Sequence, residues 1–409
     1  MNARIVNIFY PYLFIILFSF FSIANTAYLY AKELADLSIC IGQQDAVLVS
    51  DPTGHILFSK NEDVPLVPAS TLKILTALVA LHYLGPEYRF KTEFYMDRDS
   101  NLKIKGFGDP LLISEVLLEV VDELSMRIDI DFKKINDLIL DDSFFKSPII
   151  IPGITSSYNP YDAPNGALCV NFNSVAFKRN KNGTYVSAEP QTPLLPFVLP
   201  RINASSMNEG RIILSSNNSE ITMYTGHLFS YFMKKKGVAP NGNIKIGTVQ
   251  KEKDRLVFRY FSKFTLEQVV AKLLEHSNNF IANQLLIVAG AEMYGPPGTL
   301  EKGVLAARSY AHNTLKVDHF QMFEGSGISI KNRMSAKNLS KILKAFLPFH
   351  SLMPRNGRQL YKTGTLHGVH TRAGYIEDAK GALYSFVILI NTPGKSPEPI
   401  MDIILKAIE

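Results

Sequence analysis

The chain has 409 residues, 46% of them apolar and 20% charged, with 43 Lys and Arg against 37 Asp and Glu for a net charge of +6. That balance excludes a mainly disordered chain, and 25 Gly, 22 Pro and no sustained heptads exclude collagen-like and coiled-coil classes. The positive excess is small and scattered, with no Arg-rich run and no zinc-finger spacing, so nucleic acid is not expected as a partner.

The length suggests several domains, or one domain carrying a large insertion. Residues 1–31 read as a secretory signal rather than as fold. Arg4 is the only charge before Lys32, Leu13 to Phe21 is densely apolar, and small residues follow at Ala24, Thr26, Ala27 and Ala31. The alternative is an uncleaved anchor, since the uncharged stretch is long enough to span a bilayer. Either way the rest of the chain is expected to be exported, into the periplasm or cell envelope. Cys40 and Cys169 are the two cysteines, and sequence alone leaves their pairing open. Two cysteines and nine scattered histidines offer no metal-ligand cluster, so no metal is expected.

Ala46–Ser50 and His55–Ser59 predict a hairpin across Asp51-Pro52-Thr53-Gly54. A helix is predicted from about Ser70 to Leu84, stopped by Gly85-Pro86. It is apolar almost all round after Lys73 and should be buried, which makes Ser70 and Lys73, one turn apart at its mouth, unusual. Alone, such a pair is more often a cap and a snorkelling lysine. From about Phe90 to Tyr260 short strand-like runs alternate with Asn- and Ser-rich turns: Leu138–Asp141, Arg211–Leu214, Ile244–Thr248 and Leu256–Tyr260. This stretch reads as an inserted, mostly β-containing domain. Asp141-Asp142 within it reads as a turn rather than an acid pair.

Thr265 to Gln268 has capping-box spacing and opens a helix through Glu275. His276-Ser277-Asn278-Asn279 then separates it from a second helical run, Phe280–Tyr294. Gly325-Ser326-Gly327 lacks the spacing of a nucleophile elbow. Gln359–Thr365 predicts a strand carrying Lys362-Thr363-Gly364. Thr371–Ile376 and Leu383–Asn391 predict a hairpin, and Met401–Ile408 a closing helix.

Each short motif is weak alone. Together, Ser-x-x-Lys at 70–73, Ser-x-Asn at 277–279 and Lys-Thr-Gly at 362–364 fall in one order, on a helix start, an inter-helix loop and a strand. That constellation is the signature of penicillin-binding proteins and serine β-lactamases. The chain from about Ala46 to Asn391 resembles the D-alanyl-D-alanine carboxypeptidase/endopeptidase family of class C, low-molecular-mass penicillin-binding proteins (peptidase family S13). The further segments that carry the resemblance are Gly106 to Pro110, Asp141 to Phe144, Ala163-Pro164 through Leu168 and Asn171 to Asn173. Later come Gly325-Ser326-Gly327 with Asn332-Arg333, Thr365-Leu366, Gly368-Val369 and Ala373 to Tyr375. The interval between the first two motifs is short for that family, Phe107 stands where glycine is usual, and Tyr161-Asp162 and Asn165-Gly166 depart from its pattern.

The resemblance implies an α/β (α+β) class: the serine β-lactamase/DD-peptidase transpeptidase-like fold with a large, mostly β-containing insertion. The catalytic domain would comprise 32–89 and 261–409, and the insertion 90–260. It further implies a serine-type D-Ala-D-Ala carboxypeptidase, with DD-endopeptidase action on cross-links as an extension. Stem peptides of peptidoglycan would be its substrate and β-lactams its covalent inhibitors, with no metal or organic cofactor. Ser70 is the candidate nucleophile. Lys73 is the base, provided burial and Lys362 keep it neutral. Ser277 relays a proton, Asn279 orients Lys73, and Lys362 supplies positive charge. Thr363, Gly364 and Thr365 form the substrate-binding strand, and the backbone N–H groups of Ser70 and Thr365 the oxyanion hole. Arg372 reads equally as a structural ion pair or a substrate contact. The alternative functions are a β-lactamase-like or esterase-like hydrolase, and a non-catalytic wall-binding scaffold.

Overall fold

The computed structural model describes residues 37–408 apart from 128–134, 156, 216 and 239. The expected signal or anchor at 1–31 lies outside the described residues. Among those described, no helix is long and apolar enough to cross a membrane.

In chain order the strands are β1 (Asp45–Ser50), β2 (Ile56–Lys60), β3 (Lys91–Met96), β4 (Leu102–Gly106), β5 (Leu138–Asp141), β6 (Ser174–Arg179) and β7 (Tyr185–Ser187). They continue with β8 (Glu209–Ile213), β9 (Ile244–Ile246), β10 (Arg255–Phe261), β11 (Arg355–Asn356), β12 (Gln359–Leu366), β13 (Val369–Glu377) and β14 (Leu383–Ile390). The helices are α1 (Leu37–Cys40), α2 (Lys73–Leu84), α3 (Ser114–Arg127), α4 (Leu199–Ser205), α5 (Glu220–Lys235), α6 (Leu266–His276), α7 (Asn279–Tyr294), α8 (Leu300–Tyr310), α9 (Ala336–Phe346) and α10 (Glu398–Ala407).

The chain forms two compact units. The first holds the described residues up to Thr71 and from Arg333 onward. Its body is a six-stranded antiparallel sheet in the order β11-β12-β13-β14-β1-β2. All six residues of β1 are buried, as expected of a strand covered on both faces. Val47 and Val49 join Phe386, Ile388 and Ile390 of β14 in one apolar cluster with Leu37 of α1 and Ile400, Met401 and Ile404 of α10. Helix α9 packs on β1, β13 and β14, where the buried Tyr375 hydroxyl donates to the Leu343 carbonyl at 2.6 Å. Burying each of these large side chains contributes roughly 1.5–3 kcal/mol, which fixes the register of the sheet.

The second unit spans Leu72–Asn332. Helices α2, α6, α7 and α8 pack on one another. α2 is buried from Lys73 to Leu81, matching its apolar sequence. α7 and α8 approach closely because both carry glycine at the crossing: a Cβ on Gly290 would lie 2.3 Å from the Gly303 nitrogen. The same unit carries a five-stranded sheet, β10-β3-β4-β5-β9, antiparallel on one side of β4 and parallel on the other, and a three-stranded sheet, β7-β6-β8. Phe94 stacks on Phe258 at 5.5 Å and meets Phe229 of α5 edge-on at 5.8 Å.

The structure adds three helices to the stretch read as mostly β: α3, α4 and α5. α5 is amphipathic, but its aromatic and β-branched residues weaken a propensity signal that tertiary packing overrides. Both cysteines are free. Cys169 is buried, donates to the Gly166 carbonyl at 3.1 Å and accepts from Asn173 Nδ2 at 2.9 Å, and burial pushes its thiol up to about 12. Among the described residues no cluster of His, Cys, Asp and Glu could hold a metal. The Asp141-Asp142 turn is structural: Asp141 takes Lys105 Nζ at 2.7 Å and Asp142 takes the Thr222 hydroxyl at 2.7 Å.

Candidate active site

Ser70 sits in a 3-10 turn, Ala69–Leu72, that runs straight into α2, so it is not the helix cap. The cap position belongs to Leu72, with no side-chain bond. The segment before the turn is pinned to the sheet of its own unit. Asn391, just past β14, accepts from the Val67 N–H at 2.8 Å and donates to the Val67 carbonyl at 3.2 Å. The Pro68 carbonyl accepts from both the Thr71 hydroxyl at 2.6 Å and the Thr371 hydroxyl of β13 at 2.9 Å. Ala69 is held at φ +46°, a left-handed conformation that costs a residue with a Cβ about 1–2 kcal/mol. The surrounding bonds over-determine that conformation, as they must for such strain to persist.

β12 lies against this turn. A Cβ on Gly364 would fall 2.7 Å from the Ser70 nitrogen, 2.9 Å from Ala69 Cβ and 2.4 Å from the Thr371 hydroxyl. Only glycine lets the strand come this close to the Ser70 backbone. Along β12, Lys362 and Gly364 are buried while Thr363 and Thr365 are exposed, the alternation of a pleated strand. β11 pairs only with Leu360 and Gln359, and the Tyr361 N–H reaches the Pro354 carbonyl at 3.2 Å, so from Lys362 to Leu366 the strand is paired through β13 alone among the described residues. Lys362 Nζ donates to the Thr363 carbonyl at 2.7 Å, and burial lowers its pKa to about 8. Arg372 pairs with Glu398 and lies over the Tyr361 ring at 5.4 Å.

In the second unit, Lys73 is the first residue of α2 and is fully buried. Its amine donates to Asn279 Oδ1 at 2.8 Å and to the Ser326 carbonyl at 2.6 Å. Thr76, one turn on, donates to the Gly325 carbonyl at 2.6 Å. Asn279 opens α7 and also donates to the Tyr161 carbonyl at 3.2 Å.

The loop that presents Ser277 is built by its two helices. Thr265 and Gln268 form the predicted capping box, which starts α6. α6 ends with Ser277 in the left-handed region, φ 51° and ψ 36°, where glycine is usual. Asn278 then caps α7, accepting from the Ile281 N–H at 3.0 Å. The structure therefore joins Lys73 with Asn279, and Ser70 with Gly364. It also adds contributors that sequence reasoning missed: the carbonyls of Ser326 and Tyr161, and the clamps Asn391 and Thr371. A backbone carbonyl leaves no mark on residue identity, so no sequence signal could have found the first two.

The chain matches the D-Ala-D-Ala carboxypeptidase 3 (S13) family over residues 31–197 and 203–354. The protein belongs to that family. It is accordingly a D-Ala-D-Ala carboxypeptidase of the serine hydrolase class. A D-alanyl-D-alanine carboxypeptidase of Haemophilus influenzae is 23% identical, over 82% of this chain and 83% of its own. One from Actinomadura sp. strain R39 is 24% identical, over 88% and 79%. The crystal structure of Haemophilus influenzae penicillin-binding protein 4 superposes with a TM-score of 0.73 at 21% identity, covering 90% of this chain and 97% of that one. A predatory endopeptidase of Bdellovibrio bacteriovorus, solved with its immunity protein, gives a TM-score of 0.52 at 17% identity, covering 89% and 92%. These likenesses establish the penicillin-binding protein fold expected from the motifs.

Proposed function

We propose that the enzyme removes the terminal D-alanine of peptidoglycan stem peptides through an acyl-enzyme on Ser70, and that β-lactams acylate the same hydroxyl. The observation that carries the reading is the environment of Lys73. The fully buried amine donates to Asn279 Oδ1 at 2.8 Å and to the Ser326 carbonyl at 2.6 Å, and these two acceptors fix its orientation. An amine held in that way is suited to act as the base.

Ser70 Oγ loses its proton to Lys73 and attacks the carbonyl carbon of the penultimate D-alanine. The tetrahedral oxyanion is met by the N–H groups of Ser70 and Thr365. The C–N bond breaks, the leaving amine receives a proton through Ser277, and D-alanine departs. Water attacks the ester, its proton returns through the base, and Ser70 is restored. Lys362 with the hydroxyls of Thr363 and Thr365 receives the substrate's terminal carboxylate, and Gly364 admits it alongside the strand. Cleavage of a cross-link is the same reaction with a longer leaving amine. In a β-lactam the broken C–N bond stays within the acyl group, so the leaving amine does not depart and the ester persists.

The apolar segment at Leu13–Phe21 and a wall-peptide substrate both support export to the periplasm or envelope. Residues 90–260 are read as the insertion into a transpeptidase-like body of 32–89 and 261–409. Strands β3 to β10 pair only with one another among the described residues, which supports that reading.

The test is labelling of the purified exported chain with a fluorescent penicillin, beside Ser70→Ala, with D-alanine release from a stem pentapeptide measured in parallel. A label and release that both vanish in the variant are expected. A folded wild-type protein that takes no label and releases no D-alanine would overturn the site.

A further inference from the structure

Glu324 is fully buried, and its carboxylate is surrounded by hydrogen-bond donors. Oε2 accepts from the N–H and the hydroxyl of Ser326, both at 2.6 Å, and from Asn283 Nδ2 at 3.4 Å. Oε1 accepts from the Gly327 N–H and Asn332 Nδ2, both at 2.7 Å, and from the Ser329 N–H at 3.3 Å. Six donors on two oxygens match a carboxylate, which only accepts when ionised. Nothing in the proposed reaction uses this group directly.

Two of those donors have a second end. The Ser326–Gly327 peptide gives its N–H to Glu324 and its carbonyl to Lys73 Nζ at 2.6 Å. The Gly325–Ser326 peptide gives its N–H to Glu324 and its carbonyl to the Thr76 hydroxyl at 2.6 Å. Two consecutive peptide groups thus bridge one buried carboxylate to two side chains one turn apart on α2. Hydrogen bonds in series polarise one another, and charge at one end strengthens the acceptor at the other. The Gly325 N–H goes to Asn283 Oδ1 at 2.7 Å, so the loop is held at both ends.

We propose that Glu324 is a positioning residue for the acylation step: through the Ser326–Gly327 peptide it fixes and polarises the carbonyl that orients the Lys73 amine. This rests on the reading of Lys73 as the base. Glu324 itself does not touch the substrate. Its removal should therefore leave non-covalent capture intact and slow the bond-forming step.

The experiment measures the dissociation constant of the pre-covalent complex and the acylation rate constant separately, by stopped-flow with a fluorescent penicillin. It compares the wild type, Glu324→Gln, Glu324→Asp and Lys73→Ala, with a thermal melt on each. Glu324→Gln puts an amide N–H₂ against N–H donors. It is expected to lower the acylation rate constant by at least tenfold with the dissociation constant within about twofold. Glu324→Asp keeps the charge and should recover part of that loss. Wild-type acylation by both folded variants would overturn the proposal, as would an effect confined to the dissociation constant. If Glu324→Gln does not fold, Glu324→Asp decides alone: a reduced rate constant at unchanged capture supports the role and a wild-type rate constant sinks it. Lys73→Ala separates the two readings. Undiminished acylation there defeats Lys73 as base, whereas its loss together with normal Glu324 variants defeats only the role of Glu324.

Discussion

Ser277 carries two constraints that a substitution can separate. Its hydroxyl belongs to the proposed proton path, while its backbone sits in the left-handed region that a Cβ makes costly. Ser277→Gly should keep or raise the melting temperature, since the strain of about 1 kcal/mol is relieved, yet slow turnover by roughly two to four decades for loss of acid–base assistance. A variant that loses stability along with activity would show that the hydroxyl is structural.

Lys362 is a second residue-scale case. Burial lowers its pKa from 10.5 to about 8, so the amine is charged below that pH and neutral above it. Attraction for a substrate carboxylate should then fade as the pH rises through about 8. In kcat/KM for a D-Ala-D-Ala peptide this appears as an alkaline limb near pH 8 that is absent from Lys362→Met, whose overall activity is low. A limb equally present in that variant would assign the titration elsewhere. In stability the sign is opposite. The unfolded chain keeps the proton to about 10.5, so the cost of burying the charge is present below 8 and relieved between the two values.

At the scale of elements, the active region depends on how closely backbone meets backbone. Gly364→Ala would drive a methyl group into the Ser70 nitrogen and the Thr371 hydroxyl, and β12 and the Ala69–Leu72 turn would have to separate. Displacements approaching 1 Å in such a constellation cost about a hundredfold in rate. Penicillin acylation of this variant should fall by that order while the far-ultraviolet circular dichroism stays native. An unchanged acylation rate would show the turn to be more pliant than its bonds to Pro68 and Val67 suggest.

The elements themselves were largely legible. The β1–β2 hairpin, α2, the capping box of α6, α7 and the strands β12 to β14 follow from periodicity and turn chemistry that local sequence states directly. α3 and α5 were not legible. Each is stabilised by one apolar face packed in its own unit, and long-range packing has no local signature.

At the scale of the whole molecule, pH stability should register one buried carboxyl. Asp109, in the segment Gly106 to Pro110, is raised to about 6 because burial disfavours its charge, an effect that outweighs the neighbouring Leu111 N–H and Ser262 hydroxyl. Oδ1 accepts the Leu111 N–H at 2.9 Å. The folded state holds the proton more tightly than the unfolded chain, so its stabilising contribution is complete below about 3.8 and is lost as pH rises through about 6. Asp109→Asn keeps the shape without the charge. It should raise the unfolding free energy by on the order of 2 kcal/mol at pH 7.5 and by almost nothing near pH 4, read from urea titrations at both values. A constant difference across that range would mean that the charge is not the cause.

The amino-acid sequence by itself determined the class of chemistry, because Ser70, Lys73, Ser277, Asn279 and Lys362 are side chains whose types and spacing the proposed reaction requires. It also determined the principal elements that carry them, since caps, glycines and apolar periods act over a few residues. Only the tertiary structure decided what orients those groups. The Ser326 carbonyl at Lys73, the Asn283 donor on Glu324, and the Asn391 and Thr371 clamps on the Ala69–Leu72 turn each join residues far apart in the chain. Several act through backbone atoms common to every residue, so identity and spacing hold no record of them.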